Sequence, residues 1–246
     1  MLTTLSVLVA LAVMLGAATA LPEPEPEMFR RATCVSSKPK FDFDDLKAQV
    51  SNNPLNPIPD PHNGLTFQSF TFNTIDPLNL PVGKSAIPYL IPDSGKNVIA
   101  TGVLTEITKG SPQITCENNF HKVSQFTLTA FAFGCVNNVG IPTSCQFTLT
   151  AYQSLYMSDT PNKKLGSETF TYLPNGKTGL SPGAAHMTTT HSENFGADFS
   201  YATRIEISNI NSGTGSILSG AMAPLIVVVL DSMDMTLYDC TGSAAT

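Results

Sequence analysis

Residues 124–153 read SQFTLTAFAFGCVNNVGIPTSCQFTLTAYQ, and this stretch decides the fold class. The string FTLTA occurs twice in it, at Phe126–Ala130 and Phe147–Ala151. Apolar residues alternate with threonine in both copies, and neither copy holds Pro or Gly. Alternation at period two in strand-favouring residues is the pattern of a half-buried β-strand. Cys135 and Cys145 lie between the copies and enclose the turn-like segment VNNVGIPTS. Two strands joined by a short, disulfide-closed loop are therefore predicted. Paired as a hairpin, they would set Phe133 opposite Phe147 and Phe131 opposite Leu149, all on the inner face.

The same period recurs outward along the chain. FDFDDL (residues 41–46) reads as a strand with Phe41 and Phe43 inward, with a helical turn at LKAQV after it. NNPLNPIPDPHN (52–63) carries four prolines and must be an irregular connection. GLTFQSFTFNTI (64–75) alternates in two phases, which a bulge near Gln68-Ser69 would reconcile. NVIATGVLTEIT (97–108) reads as one or two strands broken near Gly102. SETFTYLP (167–174) and ATRIEISNI (202–210) are further strands. The run Leu225–Leu230 is continuous and rich in valine, as in a strand covered on both faces. About eight or more antiparallel strands, long Pro/Gly-rich loops and no sustained helical period define an all-β protein, a single β-sandwich or jelly roll.

Composition narrows the functional classes. The 246 residues are 42% hydrophobic and 13% charged, which is the balance of a folded chain. The formal charge is −6, and there is no run of Lys or Arg. Nucleic acid is therefore not an expected partner. Nor does any basic patch suit an anionic membrane surface.

The first 20 residues, MLTTLSVLVALAVMLGAATA, hold an apolar run over Leu5–Leu15 and end in Ala18-Thr19-Ala20. A short apolar stretch before a small-residue cleavage site is a secretory signal, and it is too short for a membrane span. Residues 21–31, LPEPEPEMFRR, form an acidic Pro/Glu segment ending in a dibasic pair, Arg30-Arg31. Cleavage there would leave residues 32–246 as one β-sandwich domain, secreted to the extracellular space or cell wall.

Export makes disulfides the default state of cysteine. The five cysteines are Cys34, Cys116, Cys135, Cys145 and Cys240, with no C-x-x-C pair among them. The short loop favours Cys135–Cys145. Domain termini are often close, which favours Cys34–Cys240 and leaves Cys116 as a small buried hydrophobe. Cys34–Cys116 with Cys240 unpaired is the competing arrangement.

The order FDFDDL, PIPDPHNGLTFQSFTF, NVIATG, FTLTAFAFGCV…SCQFTLTAY, ETFTYLP and VVVLDSMDMTLYDC resembles a group of fungal secreted proteins of unknown function. Their pattern has an N-terminal FDD, a P-Y-x-G-L-x-F segment, a central F-x-L-x-S-F-x-F-G-C strand and an aromatic-rich end with LD or DD. The resemblance implies a galactose-binding-like jelly roll. His62 stands where that pattern has an aromatic residue, and Ser232 where a second Asp might stand. Jelly rolls of this kind often hold a structural calcium ion near their termini. The resemblance therefore implies a calcium ion here, and among the acids near the chain ends Asp44 and Asp231 are its candidate ligands. Without it, alternation on a solvated strand face accounts for the acids of FDFDDL.

Catalytic signals are sparse. No metalloprotease, nucleophile-elbow or phosphate-loop motif is present. Of the four histidines, His62, His121, His186 and His191, the last two sit in HMTTTH and read as solvated loop histidines. Glycoside hydrolysis needs two flanking acids, for which Asp42, Asp44, Asp45, Asp231, Asp234 and Asp239 are the supply. Sugar binding uses exposed aromatic faces with a few polar groups. The chain has no Trp, which leaves Tyr89, Tyr152, Tyr156, Tyr172, Tyr201 and Tyr238. The expected function is non-catalytic binding of glycan, cell-wall or cell-surface components. The alternatives are an extracellular polysaccharide-active enzyme with an unrecognised carboxylate pair, or a structural or host-interaction protein without a small ligand. Any site would lie in loops such as 76–96 or 177–194, where periodicity gives out.

Overall fold

Each FTLTA string does form a strand, with its apolar side buried and its threonines outward. The computed structural model describes residues 34–46, 56–74, 90–95, 97–116, 123–137, 140–154, 163–174, 185–212 and 226–240. All of them belong to the unit Thr33–Thr246. The strands are β1 (Val35–Ser37), β2 (Lys40–Phe41), β3 (Asn56–Pro57), β4 (Thr66–Gln68), β5 (Thr71–Thr74), β6 (Leu90–Ile91), β7 (Asn97–Gly102) and β8 (Gln113–Thr115). They continue as β9 (Gln125–Val136), β10 (Cys145–Gln153), β11 (Lys163–Tyr172), β12 (Ala185–His186), β13 (Thr188–His191), β14 (Arg204–Ser212) and β15 (Val227–Asp239). One short helix, α1 (Val103–Lys109), follows β7.

Two antiparallel sheets pack as a sandwich. The larger has the order β13-β9-β15-β7-β5-β3, with β1 and β2 also paired to β15. The smaller has the order β11-β10-β14-β8-β4. A parallel pair, β12 with β6, lies apart. Between the two main sheets sits an aromatic layer. Phe133 of β9 meets Phe147 of β10 edge-on at 5.4 Å, and Phe131 meets Phe170 of β11 at 5.0 Å.

This arrangement corrects the expected hairpin. β9 and β10 share no hydrogen bonds, because β9 pairs with β15 and β13 while β10 pairs with β11 and β14. Phe133 and Phe147 touch across the sandwich rather than along a sheet. The reason is burial. Each strand has one apolar face, and turning the second over the first covers both at once, whereas a hairpin leaves both open. The disulfide Cys135–Cys145 thus ties one sheet to the other, and Cys34–Cys240 ties the two ends of the described chain.

On the outside, Gln146, Thr148 and Thr150 of β10 hydrogen-bond Thr171, Thr169 and Ser167 of β11. Residues 130–136 of β9 are buried throughout. There the outer face is also covered, for a Cβ on Gly134 would lie 3.0 Å from Leu90 and 3.4 Å from Met187.

Three further expectations change. Residues 66–68 and 71–74 belong to opposite sheets, so the phase change at Ser69 (φ 63) is a crossing and not a bulge. VLTEITK is a helix rather than a second strand. Gly102 permits the corner, since a Cβ there would sit 2.9 Å from the Ile226 carbonyl oxygen. The threonines of HMTTTH are β13, paired to residues 130–133 of β9. The expected turn at LKAQV lies outside the described residues after Leu46. So do most of the loops at 76–96 and 177–194, apart from residues 90–95 and 185–194.

Candidate ligand-binding face

The acids singled out for calcium, Asp231 and Asp44, bond Ser94 and Asn97, just before and at the start of β7. Ser232 has φ 45, and the β15–β9 register shifts between Asp231 and Asp234. This irregularity turns Asp231 into the protein, where it has no exposed surface. Its carboxylate accepts hydrogen bonds from the Ser94 N–H at 2.8 Å, the Ser94 hydroxyl at 3.0 Å and the Ser232 N–H at 2.7 Å. Burial raises the carboxyl to about 6, against the pull of those donors.

Asp44 accepts from the Asn97 N–H at 3.1 Å, while the Asn97 side chain donates to the Phe43 and Leu46 carbonyls. Gly95 (φ 35) leaves room for the Asp44 carboxylate, which a Cβ there would overlap. The two acids are therefore held by the donors of Ser94 and Asn97.

Calcium needs six to eight oxygen ligands. Asp231 spends its oxygens on protein donors, and among the described residues no group of three or more His, Cys, Asp and Glu could hold a metal ion. The described residues do not fit the ion that the resemblance implies.

The histidines divide. His186 and His191 are exposed, and His121 lies outside the described residues. His62 is only 5% exposed. Its ring stacks on Phe43 at 5.7 Å and meets Phe41 and Phe67 at 6.1 Å each. The Asn63-Gly64 turn (φ 49 and 87) aims it there, closed by reciprocal backbone bonds between His62 and Leu65.

Cys116 lies outside both disulfides and is buried, its thiol within 3.4 Å of the Ser124 and Thr203 carbonyls.

The tyrosines narrow to one pair. Tyr89 and Tyr156 lie outside the described residues. Tyr172 is fully buried and donates to the His186 carbonyl, with burial pushing its hydroxyl up to about 12. The Arg204 guanidinium lies 4.8 Å over the Tyr152 ring, and Arg204 in turn pairs with Glu206. Tyr201 is 52% exposed, and its ring packs on Tyr238 at 5.0 Å with a 38° tilt.

Tyr201 has φ 54, rare for a bulky residue, and its N–H donates to the Thr127 hydroxyl at 3.1 Å. The next residue, Ala202, bridges Phe126 in both directions. Along β15, Tyr238 pairs with Gln125 and Ser36, and Thr236 pairs with Thr127. Leu237 between them is buried, so these residues face outward together. The result is two tyrosine rings set in a strip of uncharged hydrogen-bonding side chains.

Tyr201 and Tyr238 were among the sequence candidates. Their pairing was not legible, because it depends on the Phe126–Ala202 bridge across the sandwich edge. Comparison with known protein families, with characterised proteins and with solved structures finds no match to this chain. The resemblance read from the motifs therefore stands only as far as a mostly-β chain with two antiparallel sheets.

Proposed function

We propose that this chain is a secreted, non-catalytic β-sandwich that binds glycan of a cell wall or cell surface through the Tyr201–Tyr238 face. The observation that carries the reading is the exposed Tyr201 ring. It is held in left-handed backbone by Thr127 and packed on Tyr238 beside Gln125, Thr127 and Thr236. Strained backbone at an exposed ring is a recurrent mark of binding sites, and a ring flanked by amide and hydroxyl groups matches the apolar face and hydroxyl rim of a pyranose.

The paired cysteines suit the same reading. Two disulfides suit an oxidising compartment. Among the described residues no helix is long and apolar enough to cross a membrane. The secretory segment at 1–20 and the dibasic site at Arg30-Arg31 complete the proposal, and N-terminal sequencing of the exported protein tests them. The fungal galactose-binding-like jelly roll remains the family this reading favours.

A glycan array probed with the mature protein tests the function. Binding to a defined glycan class, lost in Tyr201→Ala and Tyr238→Ala, is the expected result. No binding would favour a structural role, and release of reducing sugar from wall polysaccharide would favour an enzyme.

A further inference from the structure

His62 is an ionisable ring in a place built for an uncharged one. The segment PDPHNGLTF folds back at Asn63-Gly64, and the short turn drives His62 inward between Phe41, Phe43 and Phe67. The other side of the pocket is the turn after β2. There Phe43 sits at φ 58, an outlier for a bulky residue, and is fully buried beneath the imidazole. That turn also carries the Phe43 and Leu46 carbonyls that receive Asn97 of β7. The packing around His62 therefore holds β2, its turn, the 62–65 hairpin and the start of β7 in one corner.

The charged groups around this corner are Lys40 on β2, Asp42, Asp44 and Asp45 in the turn, Asp60 in the histidine's own loop, and Asp231 and Asp234 on β15. Lys40 is paired with Asp42, Asp44 is held by Asn97, Asp60 accepts from Thr66, and Asp231 accepts from Ser94. Asp45 is the closest acid to the imidazole, at 3.7 Å from Nε2, and its side chain is largely exposed. Burial holds the imidazole below its ordinary value, against the pull of Asp45 and Asp42.

We propose that His62 is an acid-operated plug: neutral, it fills the phenylalanine pocket, and protonated, it leaves the pocket for Asp45 and opens the 40–46/60–67 corner while the sandwich stays folded. A buried imidazolium flanked by three phenyl rings loses hydration that the rings replace only in part. Closing the 3.7 Å gap to the exposed Asp45 carboxylate restores solvent and tightens the counter-charge together. The proton comes from bulk water and returns there when the pH rises. Once the plug leaves, Phe43 has lost the ring that holds it in left-handed backbone. The hydrogen bonds from Asn97 to the turn then open with it.

Amide hydrogen exchange on the full chain tests this, read by mass spectrometry at about pH 7 and about pH 5 and corrected for the intrinsic rate. Protection of residues 40–46 and 60–67 should fall relative to 126–135, by about tenfold for each pH unit between the ordinary histidine value and the lower folded-state value of His62, and level off below it. In His62→Phe, which keeps a ring but no charge, that relative loss should vanish. Parallel loss in the wild type and His62→Phe would overturn the proposal. Should that variant fail to fold, the ring-proton titration of His62 in the wild type by NMR decides instead. Titration below the ordinary histidine value, with shifts at Phe43 and Leu46 in step, supports the plug. Titration at or above it, or without those shifts, refutes it.

Discussion

Asp231 sets the protein's response to acid at the scale of one residue. Its folded-state value, about 6, lies above the 3.8 of an unfolded aspartate. The folded state therefore holds the proton more tightly, and the stability this group contributes is fully present below 3.8 and lost as pH rises through 6. The difference between the two limits is up to about 3 kcal/mol. Asp231→Asn should flatten this part of the stability profile, as read by urea denaturation from acid to neutral pH. His62 acts in the opposite sense. Its depressed value makes its contribution complete above the ordinary histidine range and lost as pH falls. Measured separately, Asp231→Asn and His62→Phe should shift the profile in opposite directions. Because Asp231 and Asp44 already hold protein donors, chelator should leave the melting midpoint unmoved. The motifs brought both acids to notice. Their role was not legible, since alternation does not say that Ser94 and the first residue of the 97–102 strand, Asn97, would turn their donors toward these acids. His62 was noted at an aromatic position of the pattern, but its burial was not legible, because a proline-rich context says nothing of which way a turn will aim its side chain.

Among the elements, the twin strands β9 and β10 carry the sandwich. Phe147→Ala removes a fully buried ring that touches Phe133 and Phe170 across and along the layers, and should cost about 3–5 kcal/mol in chemical denaturation. The two disulfides differ in reach, with sequence separations of 206 for Cys34–Cys240 and 10 for Cys135–Cys145. On the chain-entropy account the long loop is worth about 5 kcal/mol and the short one about 3. Cys34→Ser/Cys240→Ser should therefore lower the melting midpoint further than Cys135→Ser/Cys145→Ser. Period-two patterning made the strands of 125–136, 145–153 and 204–212 legible, and a continuous valine-rich run marked the start of 227–239. It could not assign them to sheets, because alternation states which face is buried and not which neighbour buries it. The helix at Val103–Lys109 escaped for a related reason: seven residues give too few turns for a 3.6-residue period to emerge.

For the whole molecule, the proposed glycan-binding role rests on the placement of residues outside the core. β9 and β15 bury alternate residues between the sheets and present Gln125, Thr127, Thr236 and Tyr238 outward, where Tyr201 joins them. The fold class was readable from sequence because it follows from patterning summed over many strands. The face was not, because Tyr201 and Tyr238 come from distant segments joined only by tertiary bridges. The central claim is tested most directly by pull-down on insoluble wall polysaccharide, comparing the mature protein with Tyr201→Ala/Tyr238→Ala at matched melting midpoints. The wild type should partition to the polymer, and the variant should lose at least about tenfold in affinity, the scale of one lost ring-stacking contact with its flanking hydrogen bonds. Equal retention of the two proteins, or retention of neither, would contradict it.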